Sequence, residues 1–91
     1  MQLTEHFTLN EFVRSETAEN KHIDNTPSQE VVDNLRALCR NVLEPARVAF
    51  GEPIYITSGY RCPALNKAVG GKPTSQHLRG EAADLQVRGV K

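Results

Sequence analysis

The chain has 91 residues with 11 basic and 11 acidic side chains, a formal charge of zero, and a chain of this length forms one domain that buries only about 60% of its unfolded surface. The charges are balanced, with no basic stripe and no interleaved aromatics, which argues against nucleic acid as a partner; no window approaches the roughly 20 apolar residues of a membrane span. The residues after Met1, Gln2-Leu3-Thr4-Glu5-His6, lack the basic start and apolar stretch of a secretory signal. A chain made and kept in the cytoplasm is expected unless something else releases it. The two cysteines agree with a reduced compartment, since Cys39 falls on the apolar face of a predicted helix, where a thiol acts as a small hydrophobe.

In chain order, Thr8 followed three residues later by Glu11 forms a capping-box pattern that opens a short helix through Leu9, Phe12 and Val13. Arg14 to Asn25 is polar and reads as an exposed loop whose only apolar anchor is Ile23. The strongest helix follows, with Thr26 as cap and Pro27 at the first helical position. Its apolar stripe is Val31, Val32, Leu35, Leu38, Cys39, Val42, Leu43, Ala46, Ala49 and Phe50. Pro45 predicts a kink or break near Leu43-Glu44, after which the helix resumes to Phe50 and stops at Gly51. Ile54 to Ser58 is β-branched and alternating, hence a strand ended by Gly59. Cys62-Pro63 starts a short helix, Ala64 to Val69, closed by Gly70-Gly71. Ala82 to Val87 is a second strand, with Ala83, Leu85 and Val87 facing one way and Ala82, Asp84 and Gln86 the other. The fold expected is α+β: an antiparallel sheet packed on one long Pro-interrupted helix, about 27–50, with short helices around it.

The chemistry concentrates in Ser75-Gln76-His77-Leu78-Arg79-Gly80-Glu81-Ala82-Ala83-Asp84. Gly80 permits a tight reversal that folds His77 back over the strand, and the small Ala82 leaves room between the imidazole and the Asp84 carboxylate. Imidazole nitrogen and carboxylate oxygen both suit zinc, but a hydrolytic zinc site takes three protein ligands and needs a base. Spacing alone is weak evidence for a metal and favours a surface histidine and a strand-end aspartate that caps a turn. Arg61 likewise has a plain reading as a partner of surface carboxylates.

The stretch Ser58-Gly59-Tyr60-Arg61-Cys62-Pro63-Ala64-Leu65-Asn66, then Gly70-Gly71, then Ser75-x-His77-x-x-Gly80-x-Ala82-x-Asp84, resembles the zinc D-Ala-D-Ala carboxypeptidase family of peptidoglycan peptidases. This family includes phage endolysins and shares its core fold with the Hedgehog signalling domain. The amino half joins the likeness through Leu3 to Phe12 and through Ile23-Asp24-Asn25-Thr26-Pro27. The resemblance implies a small Hedgehog/DD-peptidase-like domain over 1–91, zinc as cofactor with His77 and Asp84 as ligands, and peptidoglycan stem peptide as substrate. It implies that Arg61 is catalytic and substrate-binding, holding a carboxylate or the charge developing on a carbonyl, and that Ser75 binds substrate or orients His77. Gln76, Tyr60 and Asn66 take turn or packing roles before rim roles.

The family continues past its Asp-bearing strand with a helix and strands that supply a third ligand, a histidine, and a carboxylate base. Here only Leu85 to Lys91 follow Asp84, and His6 and His22 lie where the family keeps no ligands. The expectation is a shortened member, from a designed fragment or a degraded prophage gene, with weak metal binding and little turnover; otherwise a second chain supplies the missing groups. The alternatives are a non-catalytic module that binds cell-wall peptide through Arg61 and Ser75, and a self-associating remnant that pairs copies through an exposed sheet edge.

Overall fold

The structure is a computed structural model and describes residues 1–87. Two short antiparallel pairs and a run of helices make an α+β arrangement. Strands β1 (Gln2–Thr4) and β2 (Phe7–Thr8) form a hairpin that sends Leu3 and Phe7 into the core. Thr8 then caps α1 (Leu9–Val13) as expected, its backbone N–H donating to Glu11 Oε2 at 2.6 Å. Phe12, on α1, is fully buried, with its ring 6.1 Å from that of Phe7.

The polar stretch after α1 is not the loop expected. Ser15 accepts the Ala18 N–H at 3.2 Å and starts α2 (Glu16–Asn20), and Glu16 and Glu19 in its first turn suit the positive helix end. His22 takes a left-handed backbone (φ 56). Ile23 N–H reaches the Ala18 carbonyl at 2.8 Å and His22 N–H the Glu19 carbonyl at 3.3 Å, so the helix closes in a Schellman motif without glycine. Ala18 is buried and Ile23 half-buried, so the segment has a second anchor.

The cap of the long helix is Ser28, whose hydroxyl accepts the Val31 N–H at 3.3 Å. Thr26 is unavailable because Asp24 Oδ1 takes both its N–H and its hydroxyl. Helix α3 (Gln29–Leu38) passes through a π-helical turn (Cys39–Leu43) into α4 (Glu44–Phe50). The expected break is therefore a widening. Pro45 has no amide hydrogen, and its ring would strike the Asn41 carbonyl in a regular helix; the π turn opens the spiral by one residue, with Glu44 N–H bonded to the Cys39 carbonyl. Val31, Val32, Leu35, Cys39 and Leu43 are buried as the stripe predicted, but Val42 (53% exposed), Ala49 and Phe50 (50% exposed) are not. The π turn shifts the apolar phase, so the spacing read from a uniform helix fails beyond it. Burial pushes the Cys39 thiol up to about 12, with Glu44 adding to the shift, which leaves it an inert hydrophobe.

Strand β3 (Ile54–Ser58) pairs antiparallel with β4 (Asp84–Val87): Ile54 opposite Val87, Tyr55 opposite Gln86, Ile56 opposite Leu85, and Ser58 opposite Asp84. Between the last two pairs Thr57 is an extra residue, a bulge that re-aims the end of β3. Ile54, Ile56 and Val87 join the helix in one core. Leu85 lies on the expected face beside Ile56 yet stays 42% exposed, so that face is only partly covered. Helix α5 (Pro63–Ala68) has Cys62 as its cap and Pro63 at its first position. No helix among the described residues is long and apolar enough to cross a membrane.

Candidate metal site

Ser75 caps a short 3-10 turn (Gln76–Arg79), its hydroxyl accepting the His77 N–H at 3.2 Å, and Gly80 ends the turn in the left-handed region (φ 72). A side chain at Gly80 would meet the Val31 carbonyl and Cγ1 at 2.9 Å and Leu35 at 3.1 Å. The reversal is thus pressed directly onto α3, and Asn34 Nδ2 donates to the Arg79 carbonyl at 2.8 Å to hold it there. These contacts aim the His77 ring at the β3–β4 end.

His77 Nδ1 lies 2.6 Å from the Gly59 carbonyl. A carbonyl only accepts, so Nδ1 carries the hydrogen and Nε2 of the neutral ring presents its lone pair outward. Nε2 lies 3.7 Å from Asp84 Oδ2, with the His77 side chain 12% exposed and that of Asp84 66% exposed. This separation is too long for a hydrogen bond. It is close to the roughly 3.4 Å between two ligand atoms of a tetrahedral zinc with bonds of about 2.0–2.2 Å. A backbone carbonyl on the far nitrogen of a ligating histidine is also the usual outer support of a metal site. The pair therefore fits a divalent ion; with a protonated ring it is an ordinary loose ion pair.

Arg61 and Ser75 adjoin the same histidine. Arg61 N–H donates to the His77 carbonyl at 3.1 Å, and Arg61 Nη2 donates to Ser75 Oγ at 3.3 Å. Arg61 Nε is buried and meets no hydrogen-bond partner among the described residues. Ser75 thus orients both His77 and Arg61. Tyr60 and Asn66 are buried, the latter donating to the Lys72 carbonyl at 2.9 Å, so both pack; Gln76 is exposed on the turn. Burial pushes the Tyr60 phenol up, with Cys62 adding to it. Two hollows of about 520 and 540 Å³ share Leu78 in their linings, one running past Tyr60 and Arg79, the other past Pro63 and Lys67. His77 and Asp84 line neither of the two.

The other histidines lie elsewhere. His22 closes α2. His6 grips Glu44, its ring Nδ1 at 2.7 Å from Oε1 and its backbone N–H at 2.9 Å from Oε2. Burial pushes the Glu44 carboxyl up, but the Thr4 hydroxyl and the two His6 contacts outweigh it and bring it down to about 2; the Thr4 hydroxyl is itself buried without a well-formed hydrogen bond, so the geometry favours His6 as the main partner. Among the described residues no group of three or more His, Cys, Asp or Glu is placed to share an ion.

The sequence profile of Peptidase M15 matches residues 5–91. The chain belongs to that family. Peptidases of the M15 family are hydrolases that generally depend on zinc. No curated protein and no solved structure gives a significant match.

Two supports of the site were not legible beforehand. The Gly59 carbonyl sits at a turn closed against α1, where Tyr60 N–H donates to the Phe12 carbonyl at 2.7 Å and a Cβ on Gly59 would lie 2.6 Å from that same oxygen. Asn25, assigned above to an exposed loop, is 9% exposed. Its Nδ2 donates to the Val13 and Tyr60 carbonyls at 2.9 and 3.0 Å, and its Oδ1 accepts the Cys62 N–H at 2.7 Å. A glycine after a strand hints at the first; nothing in the polar run around Asn25 marks the second.

Proposed function

We propose that this M15 chain is a zinc-dependent peptidase of the D-Ala-D-Ala carboxypeptidase type, acting on the stem peptides of peptidoglycan, with His77 and Asp84 holding the metal. The observation that carries the reading is the Gly59 carbonyl on His77 Nδ1, which turns the free Nε2 toward Asp84 at ligand spacing. When bound, zinc supplies Lewis acidity toward a peptide carbonyl and lowers the pKa of water toward 7. Arg61 then offers a fixed cation to a substrate carboxylate or to charge developing on the carbonyl. Ser75 holds the guanidinium and the histidine backbone in one register.

A hydrolytic site takes a third protein ligand and a base, and the described residues gather two ligands. The 91-residue polypeptide alone therefore holds zinc weakly and turns over slowly. That same count favours a second reading, a module that binds wall peptide through Arg61 and Ser75 without cutting it. Zinc content and release of D-Ala or peptide from purified peptidoglycan, with and without chelator, separate the two. Zinc-dependent hydrolysis, however slow, supports the peptidase; peptide binding indifferent to the chelator supports the module and sinks the first reading.

A further inference from the structure

We propose that Asn25 is a positioning residue that holds Arg61 against His77, so that the amino-terminal segment sets the geometry of the cleft. This rests on the reading of Arg61 as the substrate-carboxylate anchor. The Asn25 side chain brackets Arg61 on both sides, accepting from the Cys62 N–H and donating to the Tyr60 carbonyl. Its second donor bond, to the Val13 carbonyl, ties that bracket to the end of α1. All three bonds come from one buried side chain, and each spans a long stretch of chain, so no local element duplicates them.

Arg61 needs such a bracket. It lies between the end of β3 and the cap of α5, outside any ladder, and its own backbone N–H makes the single bond to the His77 carbonyl. Without Asn25, the Tyr60 carbonyl and the Cys62 N–H lose their partners. The turn would then be held by the Tyr60–Phe12 bond on one side of Arg61 and by the bonds of Arg61 itself to His77 and Ser75, with nothing fixing its Cys62 side. His77 has a separate tether, its ring bond to Gly59, whose turn is fixed by Phe12. The inference therefore makes a divided prediction: Arg61 moves and the metal pair does not.

Two variants test this, Asn25→Ala, and Asn25→Asp, which keeps the acceptor for Cys62 and removes both donors. A control is Ile54→Val, in the core away from Asn25. The first readout is amide hydrogen exchange of Arg61, whose N–H bonds to His77 and not to Asn25. Relative to a core amide of the same protein, N25A raises this exchange about tenfold or more, N25D, whose carboxylate would face the Val13 and Tyr60 carbonyls, by at least as much, and Ile54→Val not at all. The second readout is affinity for a D-Ala-D-Ala-terminated peptide against affinity for Zn²⁺ alone: the N25 variants weaken the first about tenfold and leave the second unchanged. Uniform exchange increases in the N25 variants, matching the control, overturn the proposal, as does a loss of Zn²⁺ and peptide affinity in equal measure. If the unaltered protein binds neither Zn²⁺ nor peptide, the peptidase reading fails, and Arg61 exchange still decides whether Asn25 positions it. If N25A does not fold, N25D carries the same comparison.

Discussion

Gly80→Ala tests the reversal that brings His77 back to β4, and the structure provides its own reference. Gly80 and Gly51 both have left-handed backbones, φ 72 and φ 66, but a Cβ on Gly51 meets nothing within 4 Å whereas one on Gly80 meets Val31 at 2.9 Å and Leu35 at 3.1 Å. Alanine in the left-handed region costs about 1–2 kcal/mol; this alone is the expected loss for Gly51→Ala. At Gly80 the added methyl also strikes a backbone carbonyl and two core side chains, and overpacking of this kind costs roughly a further 1–3 kcal/mol. Gly80→Ala should therefore lose about 2–5 kcal/mol of a total near 5–10 kcal/mol. In thermal unfolding, each kcal/mol lowers Tm by about 4–8 °C at this size. Circular-dichroism melts of the two variants, supported by urea titrations with matched m-values, measure the difference. Equal losses for Gly51→Ala and Gly80→Ala would refute the close approach of the turn to α3, and with it the placement of His77.

The Asp84 side chain is largely exposed and comes no closer than 3.7 Å to His77 Nε2, so Asp84→Asn should change stability by less than about 0.5 kcal/mol while weakening Zn²⁺ binding about 100-fold, read by competition with a chromophoric chelator. Leu35 is fully buried on α3, and Leu35→Ala should cost about 2–5 kcal/mol by urea unfolding. Glu44 has its carboxyl at about 2 in the fold against an ordinary 4.5. Its contribution is complete above about pH 4.5 and disappears as pH falls through about 2. Glu44→Gln should thus cost on the order of 1–2 kcal/mol at neutral pH and flatten the acid limb of the stability curve; an unchanged acid limb would show that the His6 contacts contribute nothing.

The elements legible in the sequence are those set by local chemistry. The capping pattern of Thr8 and Glu11, the strand Ile54–Ser58 and the proline-started α5 all lie where their residues put them. Misreadings arise where one local signal competes with another. Thr26 looked like a cap but is taken by Asp24, leaving the role to Ser28. Pro45 forced a π turn that keeps the helix running and rotates Val42 outward. The site divides in the same way. His77, Gly80 and Asp84 fall within one short run, so their convergence depends on a single reversal. Asn25 and the Gly59 carbonyl act from 52 and 18 residues before His77 in the chain, and contacts of that range leave no periodic trace.

The claim on which the account turns is that His77 offers an unprotonated Nε2 to a metal shared with Asp84. Long-range ¹H–¹⁵N NMR of the histidine rings at neutral pH, before and after adding Zn²⁺, tests it directly. The predicted result is a metal-free His77 in the Nδ1–H tautomer whose Nε2 signal alone moves on titration, with His6 and His22 unchanged. A metal-free His77 protonated on Nε2, or Zn²⁺ shifts confined to the other two rings, would contradict it.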